Sequence, residues 1–344
     1  MKRKLALSLV FVMCLSLAAC GGSTGSSVPA ELAASAPAAS ATQDTAPSVE
    51  RVDLAMGCPT TSTWVYSFSI AMSEAVNNKL TLSTVYPEAT SGSSAHYEML
   101  DNNSIQLGTA TTYTDQQASE GEGSFTKAYT GLSSLFPVSL TVCQIVVSAD
   151  SPIKTVQDLE GKKVAIGGRG SPTSAMSEAV LSALNVTCDL SVSTHEEMLE
   201  MFKDNRVEAI VYFGGAPYSG ILDISSGQSV RLIGLTDVDI NTIVAASPAL
   251  SKEAIEATSY DFLTDSVGTV RCMSDVICRS DISEDAIYEL VKTVWESWGE
   301  ICDVVPAAAA ISTDDVSSMF LPLHPGALRY YEEIGVSIPD GLKG

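Results

Sequence analysis

The chain has 344 residues, with 19 Lys and Arg against 41 Asp and Glu, for a formal net charge of −22. So acidic a surface repels phosphate backbones and anionic headgroups, which argues against nucleic acid as a partner and against docking on anionic lipid. The length allows one large or two medium domains.

Residues 1–19 read as an export signal. Lys2, Arg3 and Lys4 precede an apolar run at 5–17, too short to span a bilayer as a stable helix. Leu17-Ala18-Ala19-Cys20 then forms a lipobox, in which the chain is cut before Cys20 and the thiol receives a diacylglyceryl group. The alternative is an ordinary signal peptide with an incidental cysteine. Two acyl chains, at about 0.8 kcal/mol per buried CH2, anchor stably. Residues 20–49 are almost all Ala, Ser, Thr, Pro and Gly, a composition that buries too little surface to offset ordering. They read as a flexible tether with a coil reach on the order of 30 Å. The expected location is therefore the outer face of a cell membrane, lipid-anchored.

The globular part begins near residue 50. Val52, Leu54 and Met56 alternate as a strand, and Val65, Phe68, Met72 and Val76 recur at helical spacing. Residues 81–86 read as a strand, 94–102 as a short helix with Ala95, Met99 and Leu100 inward, and 105–110 as a strand. A longer apolar strand at 140–148 opens a second, similar series. It runs through a strand at 163–167 and a helix capped by Ser171 with Pro172 at its first position. Met176, Val180, Ala183 and Leu184 are that helix's buried stripe. A short helix at 196–203, strands at 207–213 and 230–235, and a second long strand at 267–279 follow. A helix at 285–303 carries Ile287, Leu290, Val291, Val294, Trp298 and Ile301 on one side. No later segment is apolar for 18 residues.

Alternating elements predict an α/β fold with largely parallel strands. The two long strands sit where the chain could cross between lobes. Residues 50–145 and 272–344 would then build one lobe and 146–271 the other. A cleft between two such lobes is a natural small-molecule site.

Enzyme and metal signals are weak. Apart from Cys14 and Cys20, the cysteines are Cys58, Cys143, Cys188, Cys272, Cys278 and Cys302, with no CxxC pair for zinc or redox work. Cys272 and Cys278 are separated by roughly 20 Å of strand and cannot bond to each other. His195 stands beside Glu196 and Glu197 as a solvated face, while His96 and His324 read as structural. No nucleophile elbow, P-loop or zinc-protease helix occurs. Asp237-Val238-Asp239 opens like a calcium loop, but Thr242 and Pro248 occupy its glycine and glutamate positions. The expectation is a non-enzyme without metal or cofactor.

Binding needs donors and acceptors in loops at the carboxyl ends of strands. Five loops qualify: Ser62, Thr63 and Trp64; Thr90, Ser91, Gly92 and Ser93; Thr111, Thr112 and Tyr113; Arg169, Gly170, Ser171, Thr173 and Ser174; and Phe213, Gly214, Gly215, Ala216 and Pro217. The helix start at Ser171 offers backbone N–H groups and a positive dipole end to a carboxylate. Arg169, the one basic side chain in the five loops, is either a bidentate carboxylate clamp or a solvated loop residue. Trp64 and Phe213 either pack on the solute or belong to the core. Many hydroxyls with few charges suit a modest polar solute rather than a polyanion.

Residues 150–164, Asp-Ser-Pro-Ile-Lys-Thr-Val-Gln-Asp-Leu-Glu-Gly-Lys-Lys-Val, resemble a segment of many type II periplasmic binding proteins. Residues 167–174, 208–217 (Glu-Ala-Ile-Val-Tyr-Phe-Gly-Gly-Ala-Pro) and 321–331 (Leu-Pro-Leu-His-Pro-Gly-Ala-Leu-Arg-Tyr-Tyr) narrow the likeness. Together they resemble the TAXI family of TRAP-transporter solute receptors, over residues 52–335. The resemblance implies a two-lobed type II periplasmic-binding-protein fold, with two mixed sheets, flanking helices and a ligand cleft between the lobes. It also implies a monomer that captures a small solute, such as glutamate or a related carboxylate, and hands it to a multi-span permease driven by an ion gradient. A receptor for an ABC importer is the alternative on the same fold, and an exported enzyme or sensory domain a more distant one. Thr63 fits the family's first motif, with Trp64 in place of its first Tyr and Ser62 in place of a Gly. Glu88-Ala89-Thr90-Ser91-Gly92-Ser93 fits the second motif well. Thr111-Thr112-Tyr113 stands where the third usually reads Gln-Ser-Asp.

Overall fold

The structure, a computed structural model, describes residues 51–59, 64–169 and 171–344. The export signal, the tether and Cys20 lie outside the described residues, as do Ser62, Thr63 and Gly170. The rest belongs to one compact unit, Val49–Gly344.

The chain alternates strand and helix from its start. β1 (Val52–Cys58), α1 (Trp64–Asn77), β2 (Ser83–Ala89), α2 (Ser93–Asp101), β3 (Leu107–Thr111) and α3 (Thr112–Glu120) lead into the long β4 (Leu132–Ser148). The second series comprises β5 (Lys163–Ile166), α4 (Pro172–Ala183), β6 (Asp189–Val192), α5 (His195–Lys203), β7 (Ala209–Gly214), α6 (Ser219–Gly227), β8 (Val230–Leu232), α7 (Asp237–Ala246) and β9 (Ser251–Ile255). The long β10 (Val267–Arg279) returns the chain to α8 (Glu284–Glu296), α9 (Trp298–Val304) and α10 (Pro325–Glu333).

Two mixed sheets were expected; the strands instead join into one continuous ten-stranded sheet. Its order is β2-β1-β3-β10-β4-β7-β5-β6, with β8 on β4 and β9 on β10. The long strands make the junction. The first part of β4 pairs antiparallel with β10 and its last residues pair with β7 and β8, while β10 pairs with β9 at one end and with β3 at the other. Within each series the pairing is parallel: β2-β1-β3, and β6-β5-β7.

Helices cover both faces of each series. On the first, Leu54 and Met56 of β1 pack with Phe68 and Met72 of α1 and with Ile287, Leu290 and Val294 of α8, while Tyr97 and Leu100 of α2 fill the opposite face with Ile105 and Ile277. On the second, Val164 and Ile166 meet Met176 and Val180 of α4, and Ala165 meets Met198 and Phe202 of α5. Alternate strand residues point to opposite faces, so neighbours in β5 join different helix layers.

Two boundaries differ instructively from expectation. β4 begins at Leu132, earlier than its apolar run suggests, because Ser133, Ser134 and Ser139 are buried in it. Pro137 sits at a register irregularity against β10, where a missing N–H breaks no regular ladder. The helix expected at 285–303 is two helices joined at Ser297, whose ψ of 5° leaves the helical well. The break sets the Trp298 ring 5.7 Å from Phe68 and 4.5 Å from Trp295. Among the described residues no helix is long and apolar enough to cross a membrane.

Candidate ligand cleft

The starts of α2 and α3 on the first series face the start of α4 on the second. Between them lies a cavity of about 190 Å³ whose lining includes Ser94, Thr114, Gln117, Ser171, Ser174 and Glu178. The first three come from one series and the last three from the other.

α4 starts as its sequence dictates. Ser171 Oγ accepts from Ser174 N at 3.1 Å, and Pro172 occupies the first turn without wasting a donor. Buried Ser174 donates its hydroxyl to Glu178 Oε1 one turn on, at 3.2 Å. Ser177 donates to Val211 O at 3.0 Å and so ties α4 to the middle of β7. α3 starts on a reciprocal cap: Thr114 N donates to Thr111 Oγ1, and the Thr114 hydroxyl accepts from Thr111 N.

The structure brings together part of the expected set. Ser171 and Ser174 line the cavity, and the Thr90–Ser93 turn stands directly before Ser94 at the start of α2. Gly92 has φ +125°, a value that favours glycine. Arg169 is exposed in the loop before α4 and Thr173 is half-buried in that helix's first turn. Trp64 is the first residue of α1.

Other expected residues lie elsewhere. Phe213 is only 2 % exposed and belongs to the core between β7 and α4, so of its two readings the core one applies. Thr112 is buried with its hydroxyl donated to Ala249 O at 2.8 Å. Tyr113 is half-buried against the core of the second series, and burial raises its phenol. Gly214 is buried where a Cβ would come within 2.5 Å of the Tyr212 ring. Gly215 and Pro217 are exposed, and the Ala216-Pro217 bond is cis.

Ser94, Thr114, Gln117 and Glu178 were not anticipated. Glu178 had a readable signal, since it lies four residues after Ser174 on one helical face. Two anchors of the loop after β7 had none. Gln144 Nε2 donates to Gly215 O at 3.1 Å, and the Tyr260 hydroxyl donates to Gln144 Oε1 while accepting from Tyr218 N at 2.7 Å. Burial pushes the Tyr260 phenol up to about 12, so it remains a donor at any working pH.

The NMT1-like family model matches residues 56–335. The chain belongs to the NMT1-like family. Among solved structures, this NMT1-like chain is similar to XAC2383 from Xanthomonas citri bound to ATP, with 11% identity over 82% of this chain and 95% of that one and a TM-score of 0.52. It is similar to a TctC solute binding protein from Polaromonas, with 12% identity, 74% and 87% coverage and a TM-score of 0.51. The periplasmic sulfonate-binding protein SsuA from Methylobacillus flagellatus KT matches with 14% identity, 73% and 69% coverage and a TM-score of 0.46. Identities this low speak to architecture, and the architecture is the periplasmic-binding-protein fold.

Behind the cleft wall this NMT1-like chain buries two carboxyls. Asp115 on α3 accepts from the Tyr97 hydroxyl at 2.7 Å, and Asp275 on β10 accepts from the Ser134 hydroxyl at 2.9 Å. Their second oxygens, Asp115 Oδ2 and Asp275 Oδ1, are buried without a donor. Burial, then the Asp275 charge, raises the Asp115 carboxyl well above the usual range, and burial pushes Asp275 up to about 7. A proton kept on Asp115 gives the pair the donor it otherwise lacks.

Among the described residues no group of three or more His, Cys, Asp and Glu side chains is placed to hold a metal ion. The described cysteines are free thiols.

Proposed function

We propose that the protein is an extracytoplasmic receptor that captures a small organic solute carrying a carboxylate, an amino acid such as glutamate or a relative, and delivers it to a membrane permease. The observation that carries this reading is the cavity between α2–α3 and α4, lined from both series by hydroxyls, an amide and one carboxylate. At the start of α4, Ser174 N–H is taken by Ser171 and Pro172 has none, so Thr173 N–H is the donor that turn offers a solute carboxylate. Glu178 at the other edge of the cavity suits an ammonium group. The protein binds and releases; it carries out no chemistry.

The permease in this proposal is of the ion-gradient-driven TRAP type, on the strength of the TAXI-like segments at 167–174, 208–217 and 321–331. Residues 50–145 and 272–344 act as one lobe and 146–271 as the other. A lipid on Cys20 and the tether behind it keep this monomeric receptor at the outer face of the membrane, beside its permease.

The test is a thermal-shift screen against amino acids, dicarboxylates, keto acids and short peptides. A solute at 100 times its dissociation constant stabilises by about 2.7 kcal/mol. A clear shift with an amino or organic acid supports the reading, and no shift with any member of the panel refutes it.

A further inference from the structure

His96 lies two residues beyond Ser94 on α2 and is fully buried. Its imidazole reaches β3 directly and the carboxyl ends of β1 and β2 through Thr90. Nδ1 is 2.8 Å from Thr109 O on β3, and Nε2 is 2.6 Å from the hydroxyl of Thr90, just past β2. The Thr90 hydroxyl also lies 2.8 Å from Cys58 O at the end of β1, and accepts from Gly92 N at 3.2 Å.

The donors and acceptors fix the ring's state. Thr109 O can only accept, so Nδ1 carries the proton and Nε2 is left as an acceptor. Burial lowers the His96 pKa, which keeps the ring uncharged at neutral pH. The single Thr90 hydroxyl proton is thus held between two acceptors, Nε2 and Cys58 O, while its oxygen fixes the Gly92 amide. The neighbouring strands leave room for this ring. A Cβ on Gly57 would come within 2.7 Å of His96 Cδ2, and a Cβ on Gly108 within 3.1 Å of His96 Cβ. Two glycines on two strands therefore form the slot in which the imidazole sits.

We propose that His96 is the positioning residue of the cleft: it holds the Thr90–Gly92 turn, and through it the start of α2 with Ser94, in the arrangement that receives the solute. The proposal rests on the receptor reading for its consequence in binding, but the clamp itself is tested without any solute. His96→Asn keeps a donor toward Thr109 O and loses the acceptor that reaches Thr90. His96→Gln has the length to offer Thr90 an acceptor again. Thr90→Val leaves the imidazole in place and removes the hydroxyl it holds.

Amide hydrogen exchange is measured on the solute-free protein. In His96→Asn and in Thr90→Val, the Gly92 and Ala95 amides, bonded to Thr90 Oγ1 and Gly92 O, should exchange roughly tenfold faster, with β4 and β10 unchanged. His96→Gln should return most of that protection. With L-glutamate as the probe, His96→Asn should bind roughly five- to tenfold more weakly and His96→Gln close to the unmodified protein. Unchanged exchange at Gly92 and Ala95 in both His96→Asn and Thr90→Val overturns the clamp. So does faster exchange spread evenly over β1, β3 and α2, which marks a residue that only fills the core. Failure of L-glutamate to bind the unmodified protein counts against glutamate as the solute, and the exchange pattern still decides the clamp.

Discussion

Replacing Asp115 by Asn should make the protein more stable in mild alkali and flatten its dependence on pH. Unfolded, both Asp115 and Asp275 ionise near 3.8; folded, both carboxyls are raised, Asp275 to about 7. Above about pH 4 the folded chain holds protons that the unfolded chain gives up, so stability falls as pH rises, until about 7 for the Asp275 share and until Asp115 itself ionises for the other. The unfavourable contribution is absent below about pH 4, and its Asp275 share is fully present above about 7. Asp115→Asn removes the Asp115 share of this penalty; a buried unpaired carboxylate costs several kcal/mol, and relaxation around the pair reduces the gain from removing it to about 1–3 kcal/mol. Asn at 115 accepts from Tyr97 through its carbonyl and donates to Asp275 through its amide, with no proton to take up. Urea unfolding at pH 5 and pH 8 measures the effect. Asp115→Asn should lie within about 1 kcal/mol of the unmodified protein at pH 5 and gain about 1–3 kcal/mol at pH 8. Parallel stability curves for the two proteins would refute the shared-proton pair.

Gly57→Ala places a Cβ 2.7 Å from His96 and Ile105 side-chain atoms, and should lower unfolding stability by about 1–3 kcal/mol; an unchanged urea midpoint would contradict the glycine slot. Arg169→Ala, at an exposed position, should leave stability within about 0.5 kcal/mol. It should weaken binding of a carboxylate solute by roughly tenfold, and unchanged affinity removes Arg169 from the site. Burial pushes the Cys143 thiol up to about 12 and Cys272 up to about 11. Both should resist iodoacetamide in the native protein at neutral pH and react on unfolding; native labelling would contradict their burial.

Local features of the fold were legible where they follow from local chemistry. The Ser171-Pro172 start of α4 needed only a cap and a fixed φ, and the bounds of β10 match its predicted 267–279 span. The front of β4 was hidden because buried Ser133 and Ser134 find their partners in distant parts of the chain, Ser280 at 2.7 Å and Asp275 at 2.9 Å. The break at Ser297 was hidden for the same kind of reason: it serves the contact of Trp298 with Phe68, more than two hundred residues away. In the cleft, a loop's place at the end of a strand could be read, but the side to which each residue turns could not. Thr112 and Phe213 stand in the right loops and face the interior, while Gln117 and Glu178 reach the cavity from within helices. His96 meets Thr109 on β3, and Gln144 and Tyr260 meet the loop after β7, through neighbours that the fold brings together.

Calorimetric titration of the unmodified protein and Ser94→Trp, with the solute that scores highest in the thermal screen, tests the location of binding most directly. Ser94 is exposed at the rim of a cavity of about 190 Å³, so an indole there fills the space without disturbing the core. One solute per chain, with affinity lost at least a hundredfold in a Ser94→Trp protein of unaltered stability, is the predicted result. Binding of equal strength in both proteins would contradict a solute site between α2–α3 and α4.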